Sequence, residues 1–300
     1  MGSYATGLTM KVERMPNTGE TLLGTGYRVD YGGKGSNQAV ACARLGAHVS
    51  FIARIGTDPF SEMALRLYRD EGIDITHVRQ TADAPTGVGF IIVEAGSGNN
   101  CITIDPGANE LLTADDVSRC DTAFHSPAVV LTQLEIPVTA AEAALRCGRE
   151  RGAITILNPA PVRPLPPSIL QLVDVLTPNQ SEARVLAGLG PDADVEPEKA
   201  ARDLIRKGVK QVVMTLGESG ALIVTANSST RVPALRMHAG YGKHWLKELL
   251  AVRGQDPAAY DQIRERCEKL VSDCVSTATP DEVAAIKKTA STLIGKARKM

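Results

Sequence analysis

The chain has no apolar run approaching the roughly 18 to 20 residues that a membrane span requires. Its first residues also lack the basic and then apolar pattern of a secretory signal. Neither sign of charge dominates, because 33 Lys and Arg residues balance 34 Asp and Glu residues. We therefore expect no membrane partner, no nucleic-acid partner and a cytoplasmic location.

Several motifs of well-defined chemistry are also missing. The six cysteines are dispersed without a C-x-x-C pair or a histidine cluster, which excludes a zinc-finger type of site and predicts reduced thiols. No G-x-x-x-x-G-K-[ST] loop occurs, because Lys34, Lys243 and Lys296 each follow a glycine but precede Gly, His and Ala. The H-E-x-x-H, G-x-S-x-G and complete dinucleotide fingerprints are absent as well.

Short apolar runs alternate with helical periods through the middle of the chain, a pattern typical of strands joined by crossover helices. The clearest predicted strands cover residues 49–55, 128–134, 154–157, 173–177 and 211–216. The predicted helices cover residues 36–45, 61–71, 139–151, 181–187 and 196–208. The pattern predicts an α/β fold with a Rossmann-like, doubly wound and mainly parallel sheet.

Two segments interrupt this alternation, at about residues 8–30 and 86–104. Each contains extended segments separated by turn residues, with no helix between them, which predicts a small antiparallel sheet that forms a lid, a homodimer surface or both. We assign residues 1–237 to the α/β domain and residues 238–300 to a helical C-terminal segment. A T-x-x-E capping box at residues 279–282 supports a helix near the end of the chain.

The glycine-rich segment DYGGKGSNQ, residues 30–38, leads into the first predicted helix. Its glycines allow the backbone to approach a ligand closely, and Lys34 and Asn37 supply donors for hydroxyl groups. The alternative interpretation is a flexible loop in which Ser36 caps the helix.

This segment resembles the first signature of the ribokinase-like carbohydrate kinases, the PfkB family. Further motifs match in the same order, namely PNTGETLLG (16–24), ARLGA (43–47), IGTDPFS (55–61), PGAN (106–109), QLEIP (133–137), NPAP (158–161), TPNQSE (177–182) and TLGESGA (215–221). The resemblance covers about residues 2–233 and implies an ATP-dependent sugar kinase that acts on a pentose-like sugar.

The resemblance also implies positions for the substrates. The sugar is expected between the lid and the main sheet, in contact with Gly33, Lys34, Gly35, Asn37 and Glu135. Glu135 follows a predicted strand, at the carboxyl end where open α/β sheets bind ligands. A solvated strand end is the alternative interpretation of that glutamate.

The Asn179-x-x-Glu182 motif resembles the element that organises Mg²⁺ near the phosphates in this family. A simple helix cap is the alternative. The resemblance further implies that Asn179, Thr215, Gly217 and Gly220 contact ATP. A monovalent cation stays open as a cofactor, although the motif that usually holds it is absent.

The chain departs from the family at two places. The D-T-x-G-A-G-D motif, which supplies the anion hole and the catalytic base, is replaced by ALRMHAGYGKHW (234–245), where His238 and His244 are the remaining candidate bases. Ala5 and Gly7 also stand where ribokinases carry a sugar-binding Asn and Asp. Two other hypotheses therefore stay open beside the kinase: a protein that binds nucleotide or sugar without turnover, and a kinase whose last third has been replaced.

Overall fold

Three β-sheets, of six, four and two strands, form the framework of the computed structural model, which describes residues 1–125 and 127–233. The strands are β1 (Ala5–Val12), β2 (Thr25–Gly32), β3 (Ala53–Ile55), β4 (Val78–Gln80), β5 (Val88–Glu94), β6 (Asn100–Asp105), β7 (Val129–Gln133), β8 (Ile154–Asn158), β9 (Val175–Leu176), β10 (Gln211–Thr215), β11 (Ala221–Thr225) and β12 (Ser229–Val232). The helices are α1 (Lys34–Arg44), α2 (Pro59–Asp70), α3 (Ala114–Ser118), α4 (Val138–Glu150), α5 (Pro167–Leu170), α6 (Gln180–Ala187) and α7 (Pro197–Arg206). The predicted domain boundary at residue 237 and the helical segment after it lie outside the described residues.

The larger sheet has six strands in the order β12-β11-β10-β9-β8-β7. Strands β7 to β10 are parallel, and β11 and β12 continue the sheet as antiparallel neighbours. Helices α4, α6 and α7 separate the parallel strands along the chain, as crossover connections require. The predicted α/β class and its mainly parallel sheet are confirmed.

Small residues let the helices approach this sheet closely. Helix α4 buries Ala140, Ala141, Ala144 and Gly148 along one face. A Cβ on Gly148 would lie 2.7 Å from the Val130 side chain on β7, so no larger residue fits there without a shift. Within the described ranges, no helix has both the length and the apolar character needed to cross a bilayer.

The four-stranded sheet corresponds to the predicted lid and has the strand order β2-β1-β5-β6. Strands β1 and β2 form an antiparallel pair, as do β5 and β6. The central pair, β1 with β5, is parallel, so the lid differs from the predicted antiparallel sheet at this pair. The reason is that a long crossover, which contains α1 and α2, separates the two pairs in the chain. Strands β1 and β2 also extend beyond the predicted limits, to Ala5 and Gly32.

A second, aromatic core lies between α1, α2 and the short parallel pair of β3 and β4. Tyr4 and Phe51 both pack edge-on against Tyr68, with ring centroids 6.2 and 5.1 Å away, respectively. Burial raises the pKa of the Tyr4 phenol to about 12, although a hydrogen bond of 3.2 Å between the phenol and the Thr6 hydroxyl opposes that shift. The phenol therefore stays neutral at physiological pH.

Asp58 connects helix α2 to the chain segment that enters lid strand β5. Its Oδ1 accepts hydrogen bonds from the backbone N–H groups of Phe60 (2.9 Å) and Ser61 (3.2 Å), which caps α2. Its Oδ2 accepts a hydrogen bond of 2.6 Å from the N–H of Thr86, two residues before β5. Burial alone would raise the pKa of Asp58, but these hydrogen bonds outweigh it and hold the pKa below its ordinary value.

Replacing Asp58 should therefore destabilise the protein in a pH-dependent way. We expect Asp58→Ala to lower the free energy of unfolding by about 1 to 3 kcal/mol at pH 7, because the cap and the link to Thr86 are both lost. Asp58→Asn keeps an oxygen that can cap α2, but its NH₂ group would face the Thr86 N–H. Two donors would then meet, and the hydrogen bond to Thr86 would be lost. Because the native pKa is depressed, the ionised Asp58 contributes stability above about pH 4 and loses it as the pH falls through the native value.

Urea unfolding monitored by circular dichroism between pH 3 and pH 7 measures this effect. The stability gap between wild type and Asp58→Asn should narrow as the pH falls. Asp192→Asn is the matched control, since Asp192 is exposed and makes no ion pair or hydrogen bond with the described residues. A gap that stays constant across this pH range would contradict the role assigned to the Asp58 charge.

Candidate active site

Helix α1 begins without a side-chain cap of its own. Its first three N–H groups bond instead to distant residues: Lys34 N donates to Glu135 Oε2 (2.8 Å), Gly35 N to the Ser3 hydroxyl (3.2 Å) and Ser36 N to the Ser3 carbonyl (2.8 Å). The Ser3 hydroxyl in turn donates to Glu135 Oε2 at 2.7 Å. The glutamate therefore sits at the positive end of the helix dipole, where a carboxylate is stabilised.

Two glycines make this arrangement possible. Gly33 precedes the helix with φ of 87°, in the left-handed region that favours glycine, and a Cβ there would lie 2.7 Å from Tyr4 Cα. A Cβ on Gly35 would lie 2.4 Å from the Ser3 backbone nitrogen. The alternative of a flexible loop capped by Ser36 is therefore wrong, because the helix starts at Lys34 and its backbone packs directly on residues 2–4.

Glu135 is itself held at the end of strand β7. Its N–H donates to Gln133 Oε1 at 2.7 Å, and the Gln133 side chain is fully buried. The carboxyl end of a parallel strand thus presents the carboxylate to the start of α1, as expected for open α/β sheets. The alternative of a merely solvated strand end does not describe Glu135, which has four polar contacts with the residues around it.

The second carboxylate oxygen of Glu135 faces the Lys34 side chain. Lys34 Nζ lies 3.3 Å from Glu135 Oε1, with 41% of the lysine side chain and 18% of the glutamate side chain exposed. An ion pair this exposed contributes less than about 1 kcal/mol, so a ligand hydroxyl can insert between the two groups at little cost. The pair offers one set of donors and one acceptor side by side.

The pair opens into a cleft of about 360 Å³, a size suited to a small molecule. One wall carries Gly33, Lys34 and Glu135, and the lid contributes the other. The lid wall is largely apolar, and its residues are Ala5, Thr6, Gly7, Gly32, Gly89, Ile91, Ile102 and Ile104. The cleft can therefore bind the hydroxyl groups of a ligand on one side and its C–H groups on the other.

Ser3, Asn109 and Arg163 also line the cleft and were not predicted as site residues. Asn109 Oδ1 accepts from Tyr4 N (2.9 Å) and its Nδ2 donates to Tyr4 O (2.7 Å), which fixes the chain just before β1. Asn109 belongs to the PGAN motif, so a signal for it was present in the sequence. Asn37 lies in the first turn of α1, where it is exposed and its N–H bonds to Gly33 O at 2.9 Å.

The other predicted site residues meet at the carboxyl ends of β9 and β10. Asn179 and Glu182 form a reciprocal capping box at the start of α6: Asn179 Oδ1 accepts from Glu182 N and Asn179 N donates to Glu182 Oε2, both at 2.8 Å. Asn179 pairs with Thr215 through an isolated bridge, in which Thr215 N donates to Pro178 O at 3.0 Å. The turn after β10 has positive φ at both Gly217 (59°) and Gly220 (88°).

The capping box means that the helix-cap interpretation of Asn179 and Glu182 holds in this structure, whatever else the two residues bind. Glu182 Oε1 makes no hydrogen bond within the described part of the chain, so one oxygen remains available. No cluster of three or more potential metal-ligating side chains occurs in residues 1–125 and 127–233. The candidate bases His238 and His244 lie outside the described residues.

The sequence and fold of this chain are similar to those of one protein family and of several known proteins. Residues 2–239 match the pfkB family of carbohydrate kinases. Ribokinase from Staphylococcus aureus is 36% identical over 240 residues, which cover 80% of this chain and 79% of that protein, and ribokinase from Haemophilus influenzae is 38% identical over 74% and 72% of the two chains. The structure of Arabidopsis thaliana ribokinase with ribose and ATP superimposes with a TM-score of 0.70, at 25% identity over 85% of each chain.

The close packing under the glycine segment generates a stability prediction. Gly35→Ala should destabilise the protein by about 1 to 3 kcal/mol, because the added methyl group meets backbone atoms that cannot rotate away. Gly190→Ala is the matched control, since a Cβ on Gly190 meets nothing within 4 Å. Thermal unfolding of both variants measures the difference. Equal melting temperatures for the two variants would contradict the packing described here.

Proposed function

The chain belongs to the pfkB family of carbohydrate kinases, and from this membership we propose that it transfers the γ-phosphate of ATP to a hydroxyl group of a pentose-like sugar. The resemblance found in the sequence motifs is thus confirmed, and the protein is a phosphotransferase with an alcohol acceptor, of the ribokinase type. The observation that carries the proposal is the Lys34–Glu135 pair at the edge of a small cleft whose lid wall is largely apolar.

In this proposal the sugar contacts Gly33, Lys34, Gly35, Asn37 and Glu135. Glu135 is suited to this role because one of its oxygens is used by the helix cap while the other faces the cleft. The carboxylate is therefore fixed before the sugar arrives, and little side-chain entropy is lost on binding. The Lys34 ammonium group can donate a hydrogen bond to a hydroxyl oxygen of the sugar.

ATP is the proposed phosphoryl donor, and Asn179, Thr215, Gly217 and Gly220 are its proposed contacts. The small residues of the turn after β10 leave the backbone accessible, and Thr215 adjoins Asn179. Mg²⁺ is proposed beside them, because the unpaired Oε1 of Glu182 is the hard oxygen donor that this cation prefers. Two side chains alone do not surround an ion, so Asn179 and Glu182 would hold it partly through water. When bound, the cation supplies charge neutralisation of the phosphates.

The residue that removes the proton from the sugar hydroxyl is the open part of this proposal. The family motif that carries the base is absent from the sequence, and His238 and His244 stay candidate bases. The alternative of a protein that binds without turnover gains no support from the relatives described above, all three of which are ribokinases.

The kinase proposal predicts Mg²⁺-dependent ADP release that a pentose stimulates. Lys34→Met should raise the sugar KM by about 10-fold or more and leave the ATP KM nearly unchanged, because hydrogen bonds to a charged group contribute about 1.5 to 3 kcal/mol. Lys199→Met is the matched control, since Lys199 is an exposed lysine on α7. A coupled assay of ADP formation over a panel of pentoses and hexoses provides the measurement. Absence of sugar-stimulated turnover in a folded sample would contradict the proposal.

We also propose that the lid joins two copies of the chain. Its outer face, opposite the cleft, exposes Tyr27, Val29 and Tyr31 on β2 and Phe90 on β5, by 60, 38, 46 and 55% of their surfaces. Leu8 pairs with both Val29 and Phe90, so this apolar surface is continuous across three strands. A second copy of the same face would cover it.

Light scattering coupled to size-exclusion chromatography tests the dimer. The wild-type protein should elute as a dimer at micromolar concentration, and Phe90→Glu should shift it to a monomer, because a charge would be buried without a partner. Leu45→Glu is the control, since Leu45 is 87% exposed and lies outside the lid. A monomeric wild type, or a dimer that survives Phe90→Glu, would contradict the proposed interface.

A further inference from the structure

The cleft face of the lid has a hollow where two glycines pair. Gly7 on β1 is in register with Gly89 on β5, and both line the cleft. Ala5, two residues before Gly7 on the same face, adds only a methyl group. Of the polar residues of β1, Thr6 borders the cleft but is fully buried, and Thr9 is only 7% exposed and is not among the lining residues. The hollow is therefore open to a side chain from a neighbouring strand.

Asp30 is the residue placed to fill it. It lies on β2 directly across from Gly7, and cross-strand partners project from the same face of a sheet. A Cβ built on Gly7 would lie 3.9 Å from Asp30 Cβ and 3.5 Å from Ile91 Cδ1, which are ordinary contact distances. The Asp30 carboxylate can consequently turn over Gly7 into the cleft without displacing backbone.

The present partner of Asp30 does not hold it firmly. Arg28 Nη2 lies 3.5 Å from Asp30 Oδ2, and about half of each side chain is exposed (55 and 49%). Exposed ion pairs of this kind contribute less than about 1 kcal/mol, so a ligand hydroxyl can replace the guanidinium.

We propose that Asp30 is a specificity-determining residue that accepts hydrogen bonds from sugar hydroxyls at the end of the cleft remote from Glu135. Gly32 lines the cleft next to the glycine segment, and Asp30 lies two residues away on β2, about 7 Å along the strand. A single sugar ring can bridge that span with hydroxyl groups at both ends. This inference rests on the proposed kinase function and adds to it the chemical character of the substrate.

Two carboxylates at opposite ends of the cleft define that character. Glu135 and Asp30 both accept hydrogen bonds from hydroxyl groups, and both repel anions. The preferred substrate is thus a neutral sugar with free hydroxyl groups at both ends. Sugars that lack a hydroxyl at the Asp30 end, and sugar acids or sugar phosphates, should be poor substrates, since they leave a carboxylate unpaired or place two anions together.

Kinetics of Asp30→Ala and Asp30→Asn test the inference. Both variants should raise the KM for the best neutral sugar by about 10- to 100-fold, with little change in kcat or in the ATP KM. Preference for that sugar over its deoxy analogues should fall by a similar factor. Glu13→Ala is the control, because Glu13 is an exposed carboxylate just after the end of β1.

The double variant Asp30→Ala with Gly7→Asp separates ligand binding from a structural effect. It returns a carboxylate to the same hollow from the opposite strand, so it should recover most of the lost sugar affinity. Calorimetric titration with sugar supplies a second readout that does not depend on turnover.

The two proposals fail in different ways. A wild type that phosphorylates a sugar, together with Asp30 variants of unchanged sugar KM, would overturn the role of Asp30 alone. Raised KM without recovery in the double variant would also overturn it, provided that the double variant melts at the wild-type temperature. A wild type that neither binds nor phosphorylates any sugar would overturn both proposals.

Discussion

The hydrogen bonds between Glu135 and the start of helix α1 are the interaction on which the cleft depends. They join the end of β7 to the segment before β1, 132 residues away in sequence, and to the glycine segment, 101 residues away. Because α1 has no local cap, its first N–H groups would be unsatisfied without Glu135 and Ser3. The same carboxylate therefore stabilises the fold with one oxygen and faces the cleft with the other.

This double use fixes the position of the glycine segment relative to β7 and to the segment before β1. Gly33 and Gly35 bring the backbone of α1 against residues 2–4, and the close approach leaves no room for side chains. A ligand that enters the cleft meets donors and acceptors whose positions are already set by the fold. Preorganisation of this kind favours binding, since less conformational entropy is lost than in a mobile loop.

The sequence predicted the central elements well, because strands β7, β8 and β10 and helices α4 and α6 have clear apolar periods bounded by turns. It did not predict the parallel pairing of β1 with β5, which depends on contacts between distant segments. Lys34 and Glu135 were identified through family motifs rather than periodicity. Ser3 was missed because a serine near a chain start has no local pattern that distinguishes a tertiary helix cap.

The two walls of the cleft differ in chemistry, because one carries the charged Lys34–Glu135 pair and the lid wall is largely apolar. The lid can therefore influence which substrate binds. The wall with Lys34 and Glu135 is built from residues of the matched family motifs, whereas the lid wall carries Ala5 and Gly7 in place of the polar residues that the resemblance implies there. Gly7 has no side chain to occupy the cleft at this point, and Asp30 lies directly across from it on the neighbouring strand. Binding of a sugar and selection among sugars can thus depend on different elements of one fold.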